Sequence, residues 1–120
     1  MNTKRSRIYR HVIPIVREVA TRHGYAIGVH GSLETDLDLI AAPWVKDVTD
    51  PAVLADAVAK AVSGMLVVPT PEYERSNVKP HGRRAFTIRF GLHDWKDGGK
   101  SKNLYIDLSV MPPITETSHG

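Results

Sequence analysis

Cysteine is absent from the 120 residues. That excludes a disulfide framework, a thiolate zinc site, an iron–sulfur cluster and a cysteine nucleophile. Long apolar runs are also missing, so no segment reads as a membrane-spanning helix. The basic start, Met1 to Arg7, leads into no signal-peptide core, because Pro14, Arg17 and Glu18 interrupt the nearest candidate. These absences predict a cytoplasmic chain with no membrane partner. There are no internal repeats and no long linker. The histidines His11, His23, His30, His81, His93 and His119 include no pair at the i, i+4 spacing of a zinc-enzyme helix. No Gly-x-Ser-x-Gly elbow exists, which sets aside Ser32 as a hydrolytic nucleophile.

What is present describes an ordinary globule. Hydrophobic residues make up 42% and charged residues 24%, which excludes disorder and low complexity. A chain of 120 residues predicts one domain, residues 1–120, with a loose tail over 112–120. Acidic residues are the scarcer sign: 16 Lys and Arg against 13 Asp and Glu give a net charge of +3. The resulting pI near 9.3 suits an anionic partner such as a nucleotide, nucleic acid or phosphorylated substrate.

Ile8, Val12, Ile15, Val16 and Val19 recur at helical spacing and predict a helix over residues 8–22. Pro14 requires either a start near Ile13 or a kink, and Gly24 ends the helix. Tyr25 to His30 and Asp36 to Ala42 read as strands around a polar turn, Gly31 to Thr35. Asp50-Pro51 pairs a cap residue with a first-turn proline. After it, Val53, Leu54, Ala57, Val58, Ala61 and Val62 predict one buried helical face, closed by Ser63-Gly64. Met65 to Val68 reads as a short strand, and Pro69 to Arg83 as a long loop. Ala85 to Leu92 and Leu104 to Met111 alternate and read as a hairpin around the turn Asp94 to Asn103. The order predicts an α+β domain: a mixed β-sheet with two main helices packed on it.

The chemistry concentrates in His30-Gly31-Ser32-Leu33-Glu34-Thr35-Asp36-Leu37-Asp38. Residues two apart on a strand share a face, so Asp36 and Asp38 point together while Leu37 and Leu39 point to the core. Adjacent like charges repel and aspartate is disfavoured in strands. A divalent cation would offset that cost, since magnesium prefers hard oxygen ligands. The plainer alternative is a turn residue followed by a solvated aspartate. Asp107 lies on the non-core side of a second alternating strand, with Tyr105 and Ser109. If the strands are neighbours, three carboxylates converge, as in sites that clamp magnesium for phosphoryl or nucleotidyl transfer. Gly31 lets backbone N–H groups approach a phosphate, and the Ser32 hydroxyl can donate to one. Lys79-Pro80-His81-Gly82-Arg83-Arg84 is a basic turn whose Lys79 or Arg83 could neutralise triphosphate charge or contact nucleic acid. Trp44, after Pro43, is expected to cover the sheet edge.

Gly-Ser, then Asp-x-Asp on a strand, then a later strand aspartate resembles the nucleotidyltransferase superfamily with the DNA polymerase β-like palm. His30 to Trp44, Lys79 to Arg83 and Tyr105 to Pro112 look similar to small nucleotidyltransferase-like proteins of bacteriophages and prophages. The resemblance implies a minimal palm fold. It implies Gly31 and Ser32 at the nucleotide phosphates, Asp36 and Asp38 as metal ligands, and Asp107 as third ligand or general base. Most active members carry a longer, often basic insert where this chain has only Leu33, Glu34 and Thr35. The implied activity is Mg2+- or Mn2+-dependent transfer of a nucleotidyl group from a nucleoside triphosphate. The acceptor, a protein side chain, an RNA end or a small molecule, is left open, and a protein partner could present it. The rival reading is a catalytically degenerate member that binds or inhibits a host protein or nucleic acid.

Overall fold

The structure, a computed structural model, describes residues 4–65, 72–78, 82–94 and 100–113. The order is α1 (Lys4–Arg22), β1 (Tyr25–His30), β2 (Leu37–Pro43), α2 (Pro51–Met65), β3 (Glu72–Val78), β4 (Arg84–Asp94) and β5 (Lys100–Val110). The strands form one mixed sheet in the order β1-β2-β5-β4-β3. β2 and β5 pair in parallel, and every other pairing is antiparallel. The α+β class with two helices on a mixed sheet is as the sequence predicts.

Alternation gives the sheet two different faces. Leu37, Leu39, Ala41, Phe86, Ile88, Ile106, Leu108 and Val110 are buried on one side, with Tyr9, Val12 and Val16 of α1 and Leu54, Val58 and Val62 of α2. The residues between them, among them Ala26, Gly28, Asp38, Ala42, Thr87, Arg89 and Asp107, are exposed or half-buried. Among the described residues nothing buries this second face.

α1 begins at Lys4 and runs unbroken through Pro14, rather than starting near Ile13. Pro14 lies on the exposed side of the helix, where water can bond the Arg10 carbonyl that loses its partner. Gly24, at φ +89°, reverses the chain after α1. α2 is capped as its sequence indicates: the Asp50 carboxylate accepts from Ala52 N–H at 2.8 Å and its carbonyl from Leu54 N–H at 3.0 Å. Its buried face is rotated from the expected one. Ala55 and Ala59 are inside, whereas Val53 is exposed.

Two sequence expectations need correction. α2 extends to Met65, so the strand expected at Met65 to Val68 does not begin there; residues 66–68 lie outside the described residues. The segment from Pro69 to Arg83 is not one loop, because Glu72–Val78 forms β3 along the free side of β4. Its sequence, Glu-Tyr-Glu-Arg-Ser-Asn-Val, has no apolar alternation to announce a strand, and pairing with β4 decides its conformation. The expected hairpin is present with longer arms: β4 and β5 pair from Arg84↔Val110 to Asp94↔Lys100.

Candidate metal centre

The register builds the centre. His30 pairs with Asp38, Asp38 with Asp107, and Asp107 with Thr87. These residues form one row across four strands on the uncovered face. Asp36 precedes β2 and joins the row from the turn. One carboxylate oxygen each from Asp36, Asp38 and Asp107 lie within 4.8 Å of one another, all three residues being half-buried. Thr87 Oγ1 donates to the Asp107 carboxylate at 3.1 Å, fixing its direction.

Three carboxylates this close cannot all ionise freely. Burial raises the Asp36 pKa above its ordinary value, and the hydrogen bond and charge of Asp107 raise it further, against a smaller opposing effect of Arg5. Burial also raises Asp38, followed by the charge of Asp107, with His30 opposing. Both aspartates thus hold protons more strongly than a solvated carboxylate would. The donor set, three hard oxygens and no soft ligand, fits Mg2+ or Mn2+.

The turn is bound tightly to this cluster. Gly31 has φ +85°, and a Cβ there would lie 2.7 Å from an Asp38 carboxylate oxygen. Glycine is therefore required both by its backbone conformation and by the close approach of Asp38. Leu33 adopts φ 63°, rare for a leucine, while its side chain packs against the core. Ser32 Oγ accepts from Glu34 N–H at 3.2 Å, which leaves the exposed hydroxyl's own proton for another acceptor.

Sequence reasoning missed the residue that holds the turn in place. Tyr9, fully buried on α1, donates its hydroxyl proton to the Thr35 carbonyl at 2.8 Å and accepts from Tyr105 N–H at 3.0 Å. The ladder between β2 and β5 explains the arrangement. Met111 N–H donates to the Ala41 carbonyl, and Ala41 is paired with Val110. Carried down the strands, the same pattern would join Tyr105 N–H directly to Thr35 O. The Tyr9 hydroxyl sits inside that bond. It ends the parallel pairing at Leu37 and sends Thr35 and Asp36 away from the sheet. Arg5 adds a hydrogen bond to the same carbonyl at 3.2 Å. A tyrosine one helical turn from the start of a helix gave no signal in the sequence, because its partners lie 26 and 96 residues away.

The basic turn is placed differently from the acidic row. Lys79 and His81 lie outside the described residues. Arg83 precedes Arg84, which pairs with Val110 in the row of Ala41. Gly31 and Ser32 adjoin Asp38, three residues away along β2, and the turn continues toward Leu37. Arg83 is therefore at the other end of the sheet from the turn and is not brought to Ser32. Its Nε is buried without a hydrogen-bond partner, as is one terminal nitrogen of Arg84, whose guanidinium lies 5.5 Å from the Phe86 ring centre. Trp44 covers no sheet edge: it follows an interior strand and stays 59% exposed.

No helix among the described residues is long and apolar enough to cross a membrane. No protein-family model matches the chain, and no curated protein or solved structure shows significant similarity to it.

Proposed function

We propose that this chain is a divalent-metal-dependent nucleotidyltransferase-like protein with a minimal palm. The observation that carries the reading is the convergence of Asp36, Asp38 and Asp107 within 4.8 Å on an uncovered sheet face. Aspartates on neighbouring strands concentrate repulsion that a fold has no structural reason to retain, and bound cations relieve it. Asp36, Asp38 and Asp107 would hold Mg2+ or Mn2+, which supplies charge neutralisation at phosphoryl oxygens. The Gly31–Ser32 turn borders the carboxylates, so N–H groups and a hydroxyl are available to phosphate where the metal is held. Asp107, oriented by Thr87, accepts the proton of an incoming acceptor hydroxyl. Tyr9 acts through Thr35 to place Asp36 and is a positioning residue.

The test is calorimetric titration with each nucleoside triphosphate, with and without Mg2+, on wild type and on Asp36→Ala/Asp38→Ala. The reading expects magnesium-dependent binding that the double variant loses. Binding indifferent to Mg2+ and to both aspartates would overturn it.

One observation favours a second reading, a degenerate palm that binds a protein or nucleic acid. Arg83 stands away from the Gly-Ser turn, which has no basic residue of its own. Under this reading nucleotide does not bind at millimolar concentration, and a macromolecular partner survives loss of Asp36 and Asp38.

A further inference from the structure

The two outer strands of the sheet are guarded unequally. β3 carries Glu72, Glu74 and Arg75, and its pairing with β4 shifts register between Arg75 and Val78. Charges and irregularity on an outer strand discourage pairing with another chain. β1 is Tyr-Ala-Ile-Gly-Val-His, with no Lys, Arg, Asp, Glu or Pro, and its pairing with β2 is unbroken over six residues.

The hydrogen-bond phase of β1 follows from one contact. Trp44 N–H donates to the Gly24 carbonyl. Gly24 and Trp44 continue the register Tyr25↔Pro43, so residues at even positions bond toward β2. The N–H and C=O groups of Ile27 and Val29 therefore point outward. Among the described residues, no backbone bond from another element reaches them. Their side chains lie on the helix side of the sheet but are only half-buried, unlike Leu39 and Ala41 opposite them, which are fully buried. Tyr25 also has odd phase but is buried, which leaves Ile27 and Val29 as the open segment.

We propose that β1 pairs antiparallel with β1 of a second copy of this chain, about a two-fold axis at Gly28. That register sets Ile27 against Val29 of the other copy and Val29 against its Ile27. All four open donors and acceptors of each strand are then satisfied, in four hydrogen bonds. It also keeps both helix-covered faces on the same side, so the half-buried Ile27 and Val29 side chains cover one another. Gly28 meets its own counterpart on the uncovered face, at the narrow spacing of a non-hydrogen-bonded pair. A Cβ at Gly28 would meet nothing within 4 Å in a single chain. Glycine is thus not needed there by the monomer, and fits the closest approach at the axis. The second copy is favoured as occupant because the segment is self-complementary and uncharged, so no like charges face each other across it. The paired sheets form one continuous surface with an acidic row on each half.

The experiment is sedimentation equilibrium of the full chain over a range of concentrations, with backbone hydrogen exchange. The expected result is a monomer–dimer equilibrium in which the Ile27 and Val29 amides become protected as dimer forms. Gly28→Glu sets two carboxylates face to face at the axis and is expected to leave a folded monomer whose melting does not depend on protein concentration. A strictly monomeric wild type with fast exchange at Ile27 and Val29 overturns the proposal. So does a dimer that survives Gly28→Glu. Neither outcome depends on metal or nucleotide binding.

Discussion

Replacing Tyr9 with phenylalanine removes one oxygen and tests how the turn is held. The ring keeps its place in the core, while two hydrogen bonds, to Thr35 O at 2.8 Å and from Tyr105 N–H at 3.0 Å, are lost. Each is worth about 1 kcal/mol net, and a buried N–H left without a partner adds a penalty of about 1 kcal/mol or more. The expected loss is therefore about 2–3 kcal/mol. With a urea dependence of about 1.5 kcal/mol per molar for a chain of this size, the unfolding midpoint falls by about 1.3–2 M. A second effect is local. Thr35 is no longer held off the sheet, so Asp36 loses its place beside Asp38 and Asp107, and stabilisation by added Mn2+ shrinks more than global destabilisation alone explains. Urea titrations with and without Mn2+ read both effects. If the phenylalanine variant unfolds within about 0.5 kcal/mol of wild type and keeps the full Mn2+ response, the Tyr9 hydroxyl does not hold the turn and the reasoning fails.

Asp38→Asn is expected to stabilise the metal-free protein by about 1 kcal/mol, since each close carboxylate pair costs about that much where water screens it. Saturating Mn2+, which should stabilise wild type by about 2.7 kcal/mol at a hundredfold excess over Kd, has little effect on the variant; thermal melts in both conditions check this. Raised pKa values at Asp36 and Asp38 mean that the folded state holds protons the unfolded chain releases. Their stabilising contribution is complete below the ordinary carboxylate range and disappears as pH climbs through the raised values. The stability difference between metal-free wild type and Asp36→Asn/Asp38→Asn should widen over that interval, and a difference independent of pH would refute the coupling. Gly31→Ala forces a left-handed backbone at a cost of about 1–2 kcal/mol and drives its Cβ against Asp38. It should depress Mn2+-induced stabilisation as strongly as Asp38→Asn while lowering, not raising, the metal-free midpoint.

Alternation in Leu37-Asp38-Leu39 and Ile106-Asp107-Leu108 was enough to orient both aspartates to the same side of a sheet. It could not show that β2 and β5 are neighbours, because their facing positions Asp38 and Asp107 are 69 residues apart in the chain, and adjacency depends on where α2, β3 and β4 go. The turn chemistry at Gly31 and the cap at Asp50 were legible because each depends on residues within a few positions. β3 was illegible because its conformation is set by a partner strand and not by its own pattern. Arg83 was misleading for a related reason: closeness to β4 in sequence says nothing about which end of the sheet a residue occupies. Tyr9 was invisible because a buried tyrosine on a helix reads as core until the two carbonyl and amide groups it joins are known.

The central position of β5 governs the order of assembly. Asp36 and Asp38 belong to the first third of the 120 residues, yet β5, which brings Asp107 beside them, is the last of the described strands to be made, and it must enter between β2 and β4. A growing chain can build the β1–β2 pair and α1 while meeting only the repulsion between Asp36 and Asp38. The repulsion of Asp107 arrives only when β5 docks, together with the Tyr9 bond that spans 96 residues. Closing so long a span is slow, and the electrostatic cost adds to the barrier. A divalent cation held by the three carboxylates at that moment would speed the final docking step, so the folding rate, and not only the equilibrium, would respond to added metal.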